Sequence, residues 1–154
     1  MPLAIRPFQR GDTERVVALW RAAGLVVPWN DPYRDIERKL TVQPELFLVG
    51  SAAADETDAV LAVAMVGFDG HRGWLNYLAV DESARRRGYG TALVAEAERL
   101  LTERGCPKLS LMVRATNADV IAWYESLGFA TDSAVALGKR LIPDDGIPIT
   151  KLLP

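Results

Sequence analysis

The sequence predicts an α/β fold: one mixed β-sheet with helices on both faces. Three observations predict it. Strand-like apolar runs follow one another in the first half, around the turn signal Asp69-Gly70. Strands then alternate with helical-period segments, the pattern of strands joined by crossover helices. The chain has 154 residues and no internal repeat, so a single domain, 1–154, accommodates both halves.

Each element has a local reason. LAIRPF, residues 3–8, reads as a first strand. Asp12 or Thr13 is placed to cap a helix with Val16, Leu19, Trp20 and Ala23 on one face, ending near Gly24. VPWNDP, residues 27–32, reads as a stiff loop, because each proline fixes its own φ and restricts the residue before it. A short helix follows, with Tyr33, Ile36 and Leu40 at helical spacing, and stops before Pro44. Residues 46–52 and 59–68 read as two strands joined by the polar turn AAADETD. DGHRG, residues 69–73, is the next turn and leads into the strand WLNYLAV, residues 74–80. Leu93, Ala97, Leu100 and Leu101 predict a helix from Gly90 to about Arg104, stopped by Gly105. Residues 108–114 read as a strand, and residues 118–127 as a helix capped by Asn117 and ended by Gly128. A last strand is expected within SAVALGKRLI, residues 133–142, and an irregular tail over 143–154. The expected order is β-α-α-β-β-β-α-β-α-β.

Composition narrows the function. With 49% hydrophobic and 25% charged residues, the chain has the make-up of a globular protein able to bury a core. A formal net charge of −2 argues against a general nucleic-acid binder, which carries a basic surplus. No apolar run has the length of a membrane span, and MPLAIRPFQRGD lacks the apolar core of a signal peptide. A cytoplasmic protein with no membrane and no nucleic-acid partner is therefore expected. One cysteine, Cys106, precludes an intrachain disulfide and fits a reducing compartment. It has no basic neighbour and reads as a small buried residue rather than a nucleophile. One histidine and one cysteine leave little for a structural zinc site, and no metal is expected.

The most informative stretch is RRRGYGTAL, residues 85–93, directly after the apolar strand. Gly88 and Gly90 permit a tight turn and close approach of a ligand to the backbone. The helix opening there presents unpaired N–H groups and the positive end of its dipole. That is an anion cradle, and the arginines add charge-assisted donors. The dinucleotide fingerprint G-x-G-x-x-G fails because Leu93 stands at its last glycine, and no Gly-Lys-Ser/Thr of a P-loop is present.

Arg85, Gly88 and Gly90, following Leu78-Ala79-Val80, resemble the strand–(R/Q)-x-x-G-x-(G/A)–helix motif of the GNAT superfamily of N-acetyltransferases. Asn117, Tyr124 and Gly128-Phe129 resemble the same family's later helix, at the family's spacing. PWNDP, DGHRG, RGCPK and LGKRLI resemble its bacterial YpeA-like members.

The resemblance implies a mixed sheet splayed at a bulge between two parallel strands, with acetyl-coenzyme A entering the gap as donor. It implies that Arg85, Arg86, Arg87, Gly88, Tyr89, Gly90 and Thr91 hold the pyrophosphate, largely through backbone N–H groups. It implies that Leu78, Ala79 and Val80 offer backbone groups to the pantetheine arm. Asn117 either contacts the pantetheine region or caps its helix. Tyr124 stands where the family places the acid that protonates the leaving thiolate; the other reading is packing beside Trp123 and Leu127.

The base is not legible. WLNYLAV holds no carboxylate, so Asn76 or Tyr77 is a candidate to orient a water, and Asp69 and His71 are titratable candidates in the preceding turn. Trp29 and Asn30 are candidates for an acceptor-site wall, with Asp31 and Asp35 able to attract a cationic acceptor. The expected function is acetyl transfer to a primary amine of a small molecule or protein. The alternative is a GNAT module that binds acyl-coenzyme A without turnover. The final strand and tail suit either a homodimer contact or packing on their own chain.

Overall fold

The computed structural model describes residues 2–53 and 57–144. Five strands form one sheet in the order β1 (Leu3–Pro7), β2 (Phe47–Ala52), β3 (Ala62–Phe68), β4 (Gly73–Val80), β5 (Leu109–Leu111). The first four pair antiparallel and β5 lies parallel to β4. The helices are α1 (Thr13–Ala22), α2 (Pro32–Leu40), α3 (Tyr89–Glu103) and α4 (Ala118–Ser126).

Successive residues of a strand point to opposite faces, and the core divides accordingly. Phe47, Val49, Val63 and Ala79 pack with Val16, Trp20 and Ile36 of α1 and α2. Leu48, Ala64, Val66 and Leu75 pack with Leu93, Ala97 and Leu101 of α3 and with Tyr124 of α4. With helices on both sides, every residue of β2 is buried, which explains its unbroken apolar run. Asp31 starts α2 by accepting from the Tyr33 N–H at 2.9 Å, with Pro32 at the first helical position. Asp12 precedes α1 without capping it, because its carboxylate accepts from Arg6 at 2.8 and 3.0 Å and from the Gln9 N–H at 2.8 Å.

Two irregularities open the sheet. Pairing of β4 with β5 runs only from Gly73↔Leu109 to Leu75↔Leu111, and beyond Leu75 strand β4 continues to Val80 without β5 beside it. On its other side, the register passes from Met65↔Asn76 to Val63↔Ala79, so β4 carries one residue more than β3. That extra residue makes a β-bulge, and Tyr77 within it has a left-handed φ of 58°.

The expected strand within residues 133–142 is not formed. A strand needs a ladder partner, and among the described residues none pairs with this segment, whose ends are held by side-chain contacts. Lys108 holds Asp132 at 2.9 Å, and Arg38 on α2 binds the Asp144 carboxylate. Arg140 also donates to the Asn30 side chain. The segment thus runs as a strap to the start of α2, leaving Val135 and Leu137 exposed. Strand β5 is shorter than the expected 108–114: its pairing with β4 stops at Leu75↔Leu111, although β4 itself runs on to Val80. Most of the 143–154 tail lies outside the described residues.

Candidate active site

The β4–α3 loop begins where Asp81 accepts from the Ser83 N–H at 2.9 Å and the Ser83 hydroxyl at 2.5 Å. Arg15 of α1 reaches the other oxygen at 2.6 Å. Ser83 and then Arg15 hold the Asp81 carboxyl down to about 2, so this anchor is ionised throughout the neutral range. An open cleft of about 510 Å³ lies between α1 and this anchor, with Arg15, Ala22, Val80 and Arg85 among its walls.

After Arg85, whose N–H donates to the Glu82 carbonyl at 3.4 Å, the loop changes character. Arg86 and Gly88 both have positive φ, 65° and 79°. The first helical bond of α3 is from the Ala92 N–H to the Gly88 carbonyl, at 2.9 Å. Among the described residues, no protein acceptor meets the backbone N–H groups of residues 86–91. The side chains of Arg85, Arg86 and Arg87 are exposed and likewise have no partner there. Left-handed residues at the mouth of a helix turn successive N–H groups inward, which makes a concavity for an anion. Tyr89 directs its side chain into the core, 2% exposed, and leaves its backbone N–H to the loop. Among the described residues its buried hydroxyl has no partner either. Thr91 is exposed on the first turn.

The splayed edge of β4 adjoins this loop. Leu78, Val80, Val113, Trp123 and Tyr124 belong to one apolar cluster. A Cβ on Gly90 would stand 3.1 Å from Trp123 Cζ2, so the absence of a side chain there lets α4 approach the start of α3. Tyr124 is held edge-on between Trp123 and Phe129, with ring centroids 4.7 and 5.4 Å away. Burial pushes its hydroxyl up to about 12, and among the described residues it has no hydrogen-bond partner. A buried phenol that is protonated at neutral pH and bonded to nothing can donate to a ligand. Asn117 caps α4, accepting from the Val120 N–H at 3.4 Å.

The candidate acceptor wall lies on the other face. Trp29 is 60% exposed, and Asn30 is taken by Arg140. Asp35, on α2, accepts from the Tyr77 hydroxyl at 2.5 Å and from Arg38 at 3.0 Å. Burial, and then Asp35, raise the Tyr77 hydroxyl above its ordinary range. Asp144 completes the cluster by accepting from Arg38 and from the Asp31 N–H, and Arg38 holds its carboxyl below the usual range. The sequence marks Asp35 and Tyr77 singly. Their union, and the part of Trp20, Arg38 and Asp144, had no local signal.

Asp69 and His71 stand apart. Their turn precedes Gly73, at the closed end of the β4–β5 pair, and Leu78 is about 17 Å further along the strand. Asp69 accepts from the His71 and Arg72 N–H groups at 2.8 and 2.7 Å, which lowers its pKa and occupies it in turn formation. Asn76 is exposed, one residue beyond the last β4–β5 pair.

The chain as a whole matches known proteins. The sequence pattern of the acetyltransferase (GNAT) family matches residues 14–129. The chain belongs to that family. An acetyltransferase of Yersinia enterocolitica is 49% identical over 142 residues, which are 92% of this chain and 98% of that one. The Ard1 structure from Thermoplasma volcanium superposes with a TM-score of 0.72 at 25% identity, covering 86% of each chain. The ribosomal-protein-S18-alanine N-acetyltransferase of Escherichia coli superposes with a TM-score of 0.69 at 27% identity, covering 86% of this chain and 80% of that one. This GNAT protein is an acetyltransferase, and its chemistry is acyl transfer. Among its described residues, no helix is long and apolar enough to cross a membrane, and no cluster of three or more His, Cys, Asp or Glu is placed to hold a metal ion.

Proposed function

We propose that this protein transfers the acetyl group of acetyl-coenzyme A to a primary amine by direct attack. One observation carries the reading: the backbone donors of residues 86–91 are unpaired beside the open edge of β4. Pyrophosphate is an anion of the right kind for that cradle, and the three arginines add charge around it. The pantetheine arm then runs along Leu78, Ala79 and Val80, whose outer edge has no strand partner. An extended amide-bearing chain fits a strand edge because both offer alternating donors and acceptors. The thioester is thereby delivered towards Tyr124.

The amine attacks in its neutral form, and the tetrahedral oxyanion is met by a backbone donor of the bulge near Leu78. Collapse breaks the carbon–sulfur bond. Tyr124 protonates the departing thiolate, and the proton released by the nitrogen as the amide forms passes through water to restore the phenol. Burial keeps the Tyr124 phenol protonated and so able to donate until the thiolate forms. Asn117 acts as the cap of α4 and so orients the helix that carries Tyr124. Trp29 and Asn30 form part of the acceptor wall, beside the Asp35–Tyr77 pair. An amine acceptor is also supported by the alanine N-acetyltransferase named above, whose fold this chain shares.

The test is calorimetric titration with acetyl-coenzyme A, followed by a panel of primary amines assayed for thiol release. Saturable binding and amine-dependent release are expected. Binding without release from any small amine or N-terminal peptide would leave a sensor, and no binding by folded protein would remove the donor assignment.

A further inference from the structure

The peptide between Tyr77 and Leu78 lies in the β4 bulge, and its orientation is set from the α1 side. The Trp20 indole N–H donates to the Tyr77 carbonyl at 3.0 Å. Trp20 is fully buried, and its ring stacks on the Tyr77 ring with centroids 4.1 Å apart. At the far end of the same side chain, the Tyr77 hydroxyl donates to Asp35 Oδ2 at 2.5 Å, while Arg38 holds Asp35 Oδ1 at 3.0 Å. Three contacts therefore grip a residue with a φ of 58°, a conformation that a bulky side chain keeps only when its surroundings over-determine it.

The geometry of a trans peptide turns this grip into a direction. The C=O and N–H of one peptide unit point opposite ways, and the described residues contain no cis peptide. The Tyr77 carbonyl points to Trp20, on the face of α1. The Leu78 N–H therefore points away from α1, towards the face that carries Tyr124. We propose that the Trp20 indole, supported by the Asp35 clamp on Tyr77, is a positioning group for acyl transfer: it aims the Leu78 N–H at the thioester carbonyl oxygen. Trp20 touches no substrate and acts through the peptide it holds. The proposal rests on the donor-site reading and extends it. A donor fixed before the reaction stabilises the oxyanion without reorganising when the charge develops.

Infrared difference spectroscopy of bound acetyl-coenzyme A, labelled with carbon-13 at the acetyl carbonyl, reads this hydrogen bond directly and needs no acceptor. In the wild type the carbonyl band is expected below that of the free thioester. Trp20→Phe keeps a ring and removes the N–H, so the downshift should be largely lost while affinity for acetyl-coenzyme A stays within about threefold. Tyr77→Phe keeps the ring, removes the bond to Asp35 and should lose part of the downshift; it carries the test if Trp20→Phe does not fold. Val17→Ala loosens the same core cluster without touching the indole–carbonyl bond and should keep the full downshift. A downshift unchanged in both Trp20→Phe and Tyr77→Phe overturns the proposal, as does equal loss in Val17→Ala. Those outcomes leave the donor site standing. Failure of the wild type to bind acetyl-coenzyme A removes the donor reading, and this extension with it.

Discussion

The two ends of β4 carry glycine-containing turns of opposite character. At the start, Asp69 closes its own turn: its carboxylate takes the N–H groups of His71 and Arg72, and the Trp74 indole at 3.3 Å. At the end, among the described residues, residues 86–91 leave their N–H groups open, Arg86 and Gly88 have positive φ values, and three arginines stand exposed without partners. Both turns hold charged residues and glycine, so composition does not separate them. Satisfaction does. A turn that pairs its own donors has finished its task in folding, whereas one that exposes a ring of them, against the general rule for backbone groups, is shaped for a ligand.

The largest effect is expected at Gly90. In Gly90→Val the new side chain meets Trp123 and crowds the open N–H groups, and affinity for acetyl-coenzyme A should fall at least about 100-fold by calorimetry. Gly88→Ala should be milder, since a Cβ there meets nothing; the left-handed backbone alone should lower unfolding stability by about 1 kcal/mol in urea titration. Tyr124→Phe should reduce kcat by about 100-fold and leave the dissociation constant of acetyl-coenzyme A unchanged. Equal loss of both would make Tyr124 a packing residue. Asp69→Ala should be smallest: a lower melting temperature, with donor binding and turnover intact. Loss of acetyl-coenzyme A binding in Asp69→Ala would collapse the contrast between the two turns.

Alkaline pH sharpens the same contrast. Tyr124 is raised from 10.0 to about 12 by burial, so the folded state holds its proton where the unfolded state releases it. The stability this provides is complete below about pH 10 and is lost as pH rises towards 12. Tyr124→Phe should flatten that part of the stability–pH curve, read by urea unfolding at each pH.

Much of the fold was legible because it is written in local chemistry. The apolar runs of β2 to β4, the helical spacing of Tyr33, Ile36 and Leu40 in α2 and the Asn117 start of α4 each follow from a few neighbouring residues. The strand expected over residues 133–142 has the same local signature, and it fails because, among the described residues, no strand pairs with it. The candidate acid Tyr124 and the loop from Arg85 to Thr91 were visible as motifs. The Trp20–Tyr77–Asp35 cluster was not, since its partners lie 57 and 42 residues from Tyr77.

By itself, the sequence determined every element but the last strand, the two-faced sheet and the motif pair that marks an acetyltransferase. Those depend on period, caps and glycines, which act over a few residues. Only the tertiary structure decided which donors stay open, which tyrosine is buried and which carboxylates are already occupied. Availability of a polar group is a property of everything packed around it, and that packing is assembled from residues far apart in the chain.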